Sequence, residues 1–250
     1  MFEPRVAIAS LSGESDAGWA RAAGGHVGAA FLGGIALDTA ARDAARRMVR
    51  DRGREEFLPE DPIAFVDREL AALEDAPLRP GFNVRSATVD PIREAAAVCA
   101  SHGAIVEINA HCRQAELCEV GCGETLLADA DRLPRYVAAA ADAGAAVSVK
   151  VRAEVEGVSL PETAARIAAA GADAIHVDAM DSESVIEDVT EAADLFVIAN
   201  NGVRDGETAQ EYLAYGADAV SVGRPSDRPA VLARVKRSTE EWFRRREARA

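Results

Sequence analysis

Lysine is almost missing from this chain: Lys150 and Lys236 are the only two, so the other 26 of its 28 basic residues are arginines. Cysteine is scarce too. Four in 250 residues are too few for a disulfide scaffold, and a reducing cytoplasm is the default expectation. No run of about 18 uncharged apolar residues occurs, which excludes a transmembrane helix. The opening MFEPRVAIAS has neither a basic leader nor a long apolar block, so no secretory signal is expected. Positive charge is in deficit, with 28 Lys and Arg against 42 Asp and Glu, a net of −14. Such a surface repels nucleic acid and anionic membranes on average and suits a salt-rich cytoplasm. Base composition is the plainer account of the arginine excess. One stretch runs against the balance: Arg228 to Ala250 holds eight basic and three acidic residues. We read it as a solvated basic C-terminal helix over 228–250, with cations near the end where the dipole favours them.

What is present is ordinary globular stock, 49% hydrophobic and 28% charged, and enough chain for a full core. Short apolar runs alternate with longer amphipathic ones. The runs at 5–10, 28–33, 81–85, 104–109, 146–151, 174–178, 195–200 and 219–223 predict strands, several of them rich in Val and Ile and too short for buried helices. Helices are predicted near 15–24, 37–52, 60–75, 89–102, 131–143, 161–170, 182–193, 205–215 and 228–248. A Gly-Ala pair ends three of them, at Gly144, Gly171 and Gly216, where glycine takes the left-handed residue that closes a helix. Eight strands separated by helices, without a hairpin signal, predict a parallel sheet. The count and length together predict an α/β fold, one (β/α)8 TIM barrel domain spanning residues 1–250. An open doubly wound sheet is the competitor, weakened by the lack of GxGxxG at the first turn.

In such a barrel, chemistry gathers at the C-terminal ends of the strands. Those ends carry Ser10 to Glu14, Asn83 and Arg85, Asn109 with His111 and Cys112, Lys150 and Arg152, Asp178, Asn200-Asn201-Gly202, and Gly223-Arg224. Lys150 is the sharpest of them. A chain that nearly avoids lysine keeps one inside VSVKVR, where a buried ammonium is costly unless paired or used. It could hold a phosphate, donate to a cofactor oxygen or form a Schiff base; an ion pair with Asp178 or Glu107 is the plain structural reading. Gly202, Gly223 and Arg224 fall where this fold binds phosphate. Cys112, Cys118 and Cys122 have the spacing C-x5-C-x3-C, which matches neither a zinc pattern nor a cluster run, so no metal is expected. Cys112 reads better as a lone acid or nucleophile at the rim. One His beside one Cys makes no metal site of His111, and His26, His102 and His176 receive no role.

These residues resemble the tRNA-dihydrouridine synthases. NAHCRQAELCEVGCGETLL, from Asn109, is similar to that family's signature at Asn109, Cys112, Gly121, Gly123, Leu126 and Leu127. VSVKVR around Lys150 and Arg152, VIAN at Val197 to Asn200 and GADAVSVGR ending at Gly223-Arg224 also match, in order, over residues 105–224. Before Asn83 the resemblance is faint. The chain looks like a short archaeal-type relative of these synthases, near dihydroorotate dehydrogenases in fold.

The resemblance implies FMN at the strand ends, NAD(P)H as electron donor, and hydride transfer to or from a uracil-like C=C bond. It implies Cys112 as the acid and Lys150 at the flavin. Asn83 stands where the family has a flavin-contacting Gln, and Asn200, Gly223 and Arg224 hold the phosphate. Asn109, Arg152, Asp178, Asn201 and Gly202 complete the expected cofactor site. Three departures stand out: Arg113 where the family has Pro, Asp178 where it has His, and SLSGES in place of Ala-Pro-Met-x-Gly. A carboxylate at 178 calls for neutralisation by Lys150 or Arg152. The sequence ends one helix past the eighth strand, where the synthases continue into an RNA-binding domain. With the net charge, this shifts the expected substrate from tRNA towards a small molecule or nucleoside. The alternatives are a dihydroorotate dehydrogenase-like enzyme on a free small molecule, a Schiff-base lyase through Lys150, and a non-redox barrel that binds a phosphate ligand.

Overall fold

Side-chain alternation along each strand builds this molecule in concentric layers. In the computed structural model, which describes residues 1–248, eight strands pair in parallel in chain order and close into a barrel. They are β1 (Val6–Ile8), β2 (Ala29–Ala36), β3 (Arg79–Arg85), β4 (Ile105–Asn109), β5 (Ala146–Arg152), β6 (Ala174–Asp178), β7 (Phe196–Asn200) and β8 (Ala219–Val222). Closure is made by β1 on β8, with Val6 opposite Val220 and Ile8 opposite Val222. All eight predicted strands are present. The nine predicted helices are α1 (Ala17–Ala22), α2 (Thr39–Arg52), α3 (Pro62–Ala71), α4 (Asp90–Ser101), α7 (Arg132–Asp142), α8 (Leu160–Ala169), α9 (Val185–Ala192), α10 (Gly206–Ala214) and α11 (Pro229–Glu247). α11 is the basic helix, and residues 249 and 250 of its predicted span lie outside the described residues. Two five-residue helices, α5 (Ala115–Glu119) and α6 (Glu124–Ala128), were not anticipated, because segments this short show no helical stripe.

On β5, Val147, Val149 and Val151 face outward into the helix layer, while Ser148, Lys150 and Arg152 alternate with them. The same period of two places Val106 and Ile108, Ile175 and Val177, and Val220 and Val222 in that outer core. The strands are thus less uniformly apolar than a sheet covered by apolar layers on both faces would require. Inside the barrel the bottom is a plug of Phe2, Ala7, Ala29, Phe31, Ile105, Ile198 and Ala219. Above it the residues turn polar, and at the mouth they become charged.

The polar layer centres on Glu107, which is fully buried. Its Oε1 accepts from Asn83 Nδ2 at 2.7 Å, and Asn83 Oδ1 accepts from Asn109 Nδ2 at 2.8 Å. Its Oε2 lies 2.7 Å from His176 Nδ1, and His176 Nε2 lies 2.7 Å from Ser221 Oγ. Ser221 Oγ in turn accepts from Asn200 Nδ2 at 2.7 Å. Burial pushes the Glu107 carboxyl up, but the His176 ring, the Lys150 charge and the Asn83 amide outweigh it and hold the group ionised. Burial dominates at His176 and lowers its value, so the ring is neutral and donates to Glu107 from Nδ1. Breaking such a buried network by removing one partner costs about 3–5 kcal/mol. Glu107→Ala is therefore expected to lose about that much stability in urea unfolding, and Glu107→Gln, which keeps one acceptor but turns an N–H2 group against the other donor, to recover only part of it.

Candidate active site

Two adjoining cavities of about 640 and 440 Å³ open at the C-terminal ends of the strands and share walls at Ser10, Leu11, Arg54, His111, Cys112, Gln114, Lys150 and Arg224. Each falls within the usual range of small-ligand sites, ~300–1,000 Å³. Together their walls carry seven of the chain's 28 basic residues (Arg54, Arg85, Arg113, Lys150, Arg152, Arg204 and Arg224) against three of its 42 acidic ones (Glu14, Asp178 and Asp227). An acidic protein has thus concentrated cations in one cleft, which focuses anions there.

The segment after β4 forms the first wall. Asn109 Oδ1 accepts from the backbone N–H groups of His111 (3.2 Å) and Cys112 (3.0 Å), so the chain leaves the strand in a fixed turn. The Cys112 carbonyl accepts from Glu124 N at 2.8 Å, and Gly123 sits against it at φ 61°. A Cβ at Gly123 would overlap that carbonyl, so the close approach and the left-handed backbone both require glycine there. Cys112 is 7% exposed at the cavity wall. Burial raises its thiol, but the Arg85 charge and the His111 ring overcome it and draw the value down to about 7.

β5 brings in Lys150, 4% exposed, on the wall of both cavities. Its Nζ has no hydrogen-bond or ion-pair partner among the described residues. The ion pair weighed from sequence, with Asp178 or Glu107, is therefore not formed within 4 Å. Nor do Lys150 or Arg152 neutralise Asp178. His111 does, with Nε2 2.6 Å from Asp178 Oδ2, while Asn201 Nδ2 donates to Oδ1 at 2.7 Å. Burial raises Asp178, yet the His111 hydrogen bond and charge, with Asn201 and Met180 N, hold it well below the usual carboxylate range. Burial lowers His111, and its contacts with Asp178 and Cys112 reverse the sign.

The opposite wall is open. At Gly202 and Gly223 a Cβ would meet nothing within 4 Å, and Arg224, exposed beside them, has no partner among the described residues. Ten of the eleven residues expected at the site line the cleft: Cys112, Lys150, Asn109, Arg152, Asp178, Asn200, Asn201, Gly202, Gly223 and Arg224. Asn83 does not. It is fully buried in the layer beneath, where it joins Asn109 to Glu107.

Sequence reasoning missed the irregular stretch 53–61, which supplies Arg54 to both cavities and Glu56 to a buried ion pair with Arg85 at 2.7 Å. Nothing in its sequence pattern announces that path, since it has no regular structure. It placed His111 at the rim but gave it no role, since its partner lies 67 positions away. Among the described residues no group of three His, Cys, Asp or Glu is arranged to hold a metal ion.

An FMN-sized anion fits what the cleft offers. Lys150 is a buried cation without a counter-ion, and the Gly202 and Gly223 backbone faces open space beside Arg224.

Comparison with known proteins agrees with this geometry. The family model described as dihydrouridine synthase (Dus) matches residues 66–249, so β1, β2 and the 53–61 stretch precede the matched part. An uncharacterized protein of Methanocaldococcus jannaschii is 26% identical over 236 residues, covering 89% of each chain. Among solved structures, DHODH of Eimeria tenella in complex with ferulenol aligns with a TM-score of 0.71 at 16% identity, over 98% of this chain and 82% of that one. A FabK (M276A) mutant of Thermotoga maritima aligns with a TM-score of 0.59 at 15% identity, over 89% of this chain, which spans only 61% of FabK's length. These structural likenesses show the barrel fold. No helix among the described residues is long and apolar enough to cross a membrane.

The Asp178–His111 pair makes stability depend on pH. The lowered carboxylate contributes fully above its unfolded value and loses its contribution as pH falls through the folded one; the raised imidazole contributes fully below its unfolded value and loses it as pH rises through the folded one. The pair therefore stabilises most between about pH 4 and 6.5. In urea unfolding, Asp178→Asn is expected to cost about 1.5–3 kcal/mol in that window, with the gap to wild type narrowing above and below it.

Proposed function

The chain belongs to the dihydrouridine synthase family, a class of FMN-type oxidoreductases on this barrel, and from that premise we propose that it transfers hydride to or from a uracil-like C=C bond of a small molecule or nucleoside. The observation that carries the reading is Lys150, a buried lysine without a counter-ion on the wall of a cation-rich cleft. In this reading Lys150 and Arg152 face the flavin, and Asn200, Asn201, Gly202, Gly223 and Arg224 hold its phosphate. Asn109 fixes the turn that presents Cys112. Bound FMN supplies two-electron chemistry that no protein side chain provides, with NAD(P)H as the proposed electron donor.

The chain's own groups do the rest. Lys150 stabilises negative charge where it develops, in a site largely shielded from water. The Cys112 thiol, drawn down to about 7, has a proton to give at neutral pH and gives it to the substrate carbon. Asp178, neutralised by His111, does not oppose an anion in the same cleft. The cations and the modest cavity volumes favour a small anionic or nucleoside substrate; tRNA is the less favoured partner on an acidic surface.

Purified protein is expected to absorb between about 350 and 500 nm, or to gain that spectrum on titration with FMN. A colourless protein that takes up no FMN ends the proposal, and borohydride trapping of a substrate on Lys150 would then favour the lyase alternative. Lys150→Ala is expected to weaken FMN binding about 10- to 100-fold, the loss of one charge-assisted contact, measured by flavin fluorescence titration. Cys112→Ala is expected to keep the flavin and lose about 10²- to 10⁴-fold in turnover with the true substrate, and unchanged turnover would remove Cys112 from the mechanism.

A further inference from the structure

Where the resemblance expects a histidine at the end of the sixth strand, this chain has Asp178, and the histidine it faces is one that the fourth strand delivers. His111 immediately precedes Cys112, and both backbone N–H groups are held by the same Asn109 oxygen, so ring and sulfur leave one rigid turn together. The ring is then fixed from the far side by Asp178 at 2.6 Å. Asp178 has no freedom to do anything else: its second oxygen accepts from Asn201 Nδ2 at 2.7 Å and from Met180 N at 3.4 Å.

We propose that Asp178 and His111 form a proton relay for Cys112, in which Asp178 orients and holds the imidazolium and His111 returns a proton to the sulfur after Cys112 has donated its own. The step balances within the chain. The imidazolium gives its proton to the Cys112 thiolate, restoring the thiol and a neutral ring, and the ring regains a proton from water. Both residues act through Cys112 and are positioning residues.

Three observations support the assignment. First, access: the His111 side chain is 26% exposed, whereas Cys112 is 7% exposed, so the ring is the wetter of the two. Second, the other charged groups around the sulfur are committed. Arg85, from β3, is bound to Glu56 at 2.7 Å. Cys118 and Cys122 are both shifted up, Cys122 to about 12, and stay protonated. Third, ring and sulfur shift one another: the Cys112 contact helps to raise His111 from its ordinary value, and the His111 ring helps to draw Cys112 down to about 7.

The relay rests on the proposed reaction only for the reason Cys112 must be reprotonated; its test needs no substrate. The rate of iodoacetamide alkylation at Cys112, located by peptide mass spectrometry, is followed from about pH 5 to 9 in the protein as purified. Wild type is expected to show a midpoint at about 7. His111→Gln and Asp178→Asn are expected to raise that midpoint by about one pH unit or more, and Asp178→Glu, which keeps the carboxylate, to bring it back towards wild type. Cys99, fully buried, stays unlabelled while the fold is intact. Midpoints within about 0.3 of wild type in both Gln and Asn variants overturn the relay, as does an Asp178→Glu shift equal to that of Asp178→Asn. If those variants do not fold, Cys112→Ser decides: it lowers the His111 titration midpoint in NMR if ring and thiolate are coupled, and leaves it in place if they are not. A protein that binds FMN and needs Cys112, yet shows no coupling, keeps the proposed function and loses the relay; a coupled pair in a protein without flavin does the reverse.

Discussion

One ionised carboxylate, buried without exposure at the centre of the barrel, organises everything above it. Glu107 holds Asn83 on one oxygen and His176 on the other, and through them it fixes Asn109 and Asn200 at opposite sides of the mouth. A charge in that position is tolerable only because each of its contacts is satisfied and the Lys150 charge stands in the same field. The direction of donation follows from the anion: every group in the two chains must donate towards Glu107. The cleft floor is thereby given a single arrangement of amides, a constraint an apolar plug would not supply.

The second constraint is electrostatic. The chain carries a net of −14, yet its mouth concentrates cations. Of the three acidic residues on its walls, Asp178 is tied to a histidine, and Glu56 behind them is tied to Arg85. Lys150 and Arg224 are left with unspent charge among the described residues. This division between satisfied and unsatisfied cations is what separates scaffold from binding group. It also explains why an acid thiol can sit here with a value near neutrality: the same field that favours an anionic ligand favours the thiolate.

Much of this was legible in the chain. The eight strands follow from short Val- and Ile-rich runs, and three helix ends follow from glycines that do take the left-handed conformation, at φ 86°, 99° and 98° for Gly144, Gly171 and Gly216. The strand-end rule collected ten of the eleven expected residues, because in a closed parallel barrel every such end reaches one rim. It failed for Asn83 because period-two alternation puts an inward residue either at the mouth or one layer below, and only the register with β4 decides which. It failed for α5 and α6 because five-residue helices are held by tertiary contacts rather than by their own periodicity.

The sequence by itself determined the barrel, the rim and the identities of the residues that meet there, since hydrophobic spacing and strand order are local properties that survive without coordinates. Only the tertiary structure decided who pairs with whom. That Asp178 takes His111 and not Lys150, that Glu56 reaches Arg85 from an irregular stretch, and that Lys150 is left without a partner depend on distances of a few ångströms between positions far apart in the chain. Charge pairing falls off with such distances, and no one-dimensional pattern encodes them.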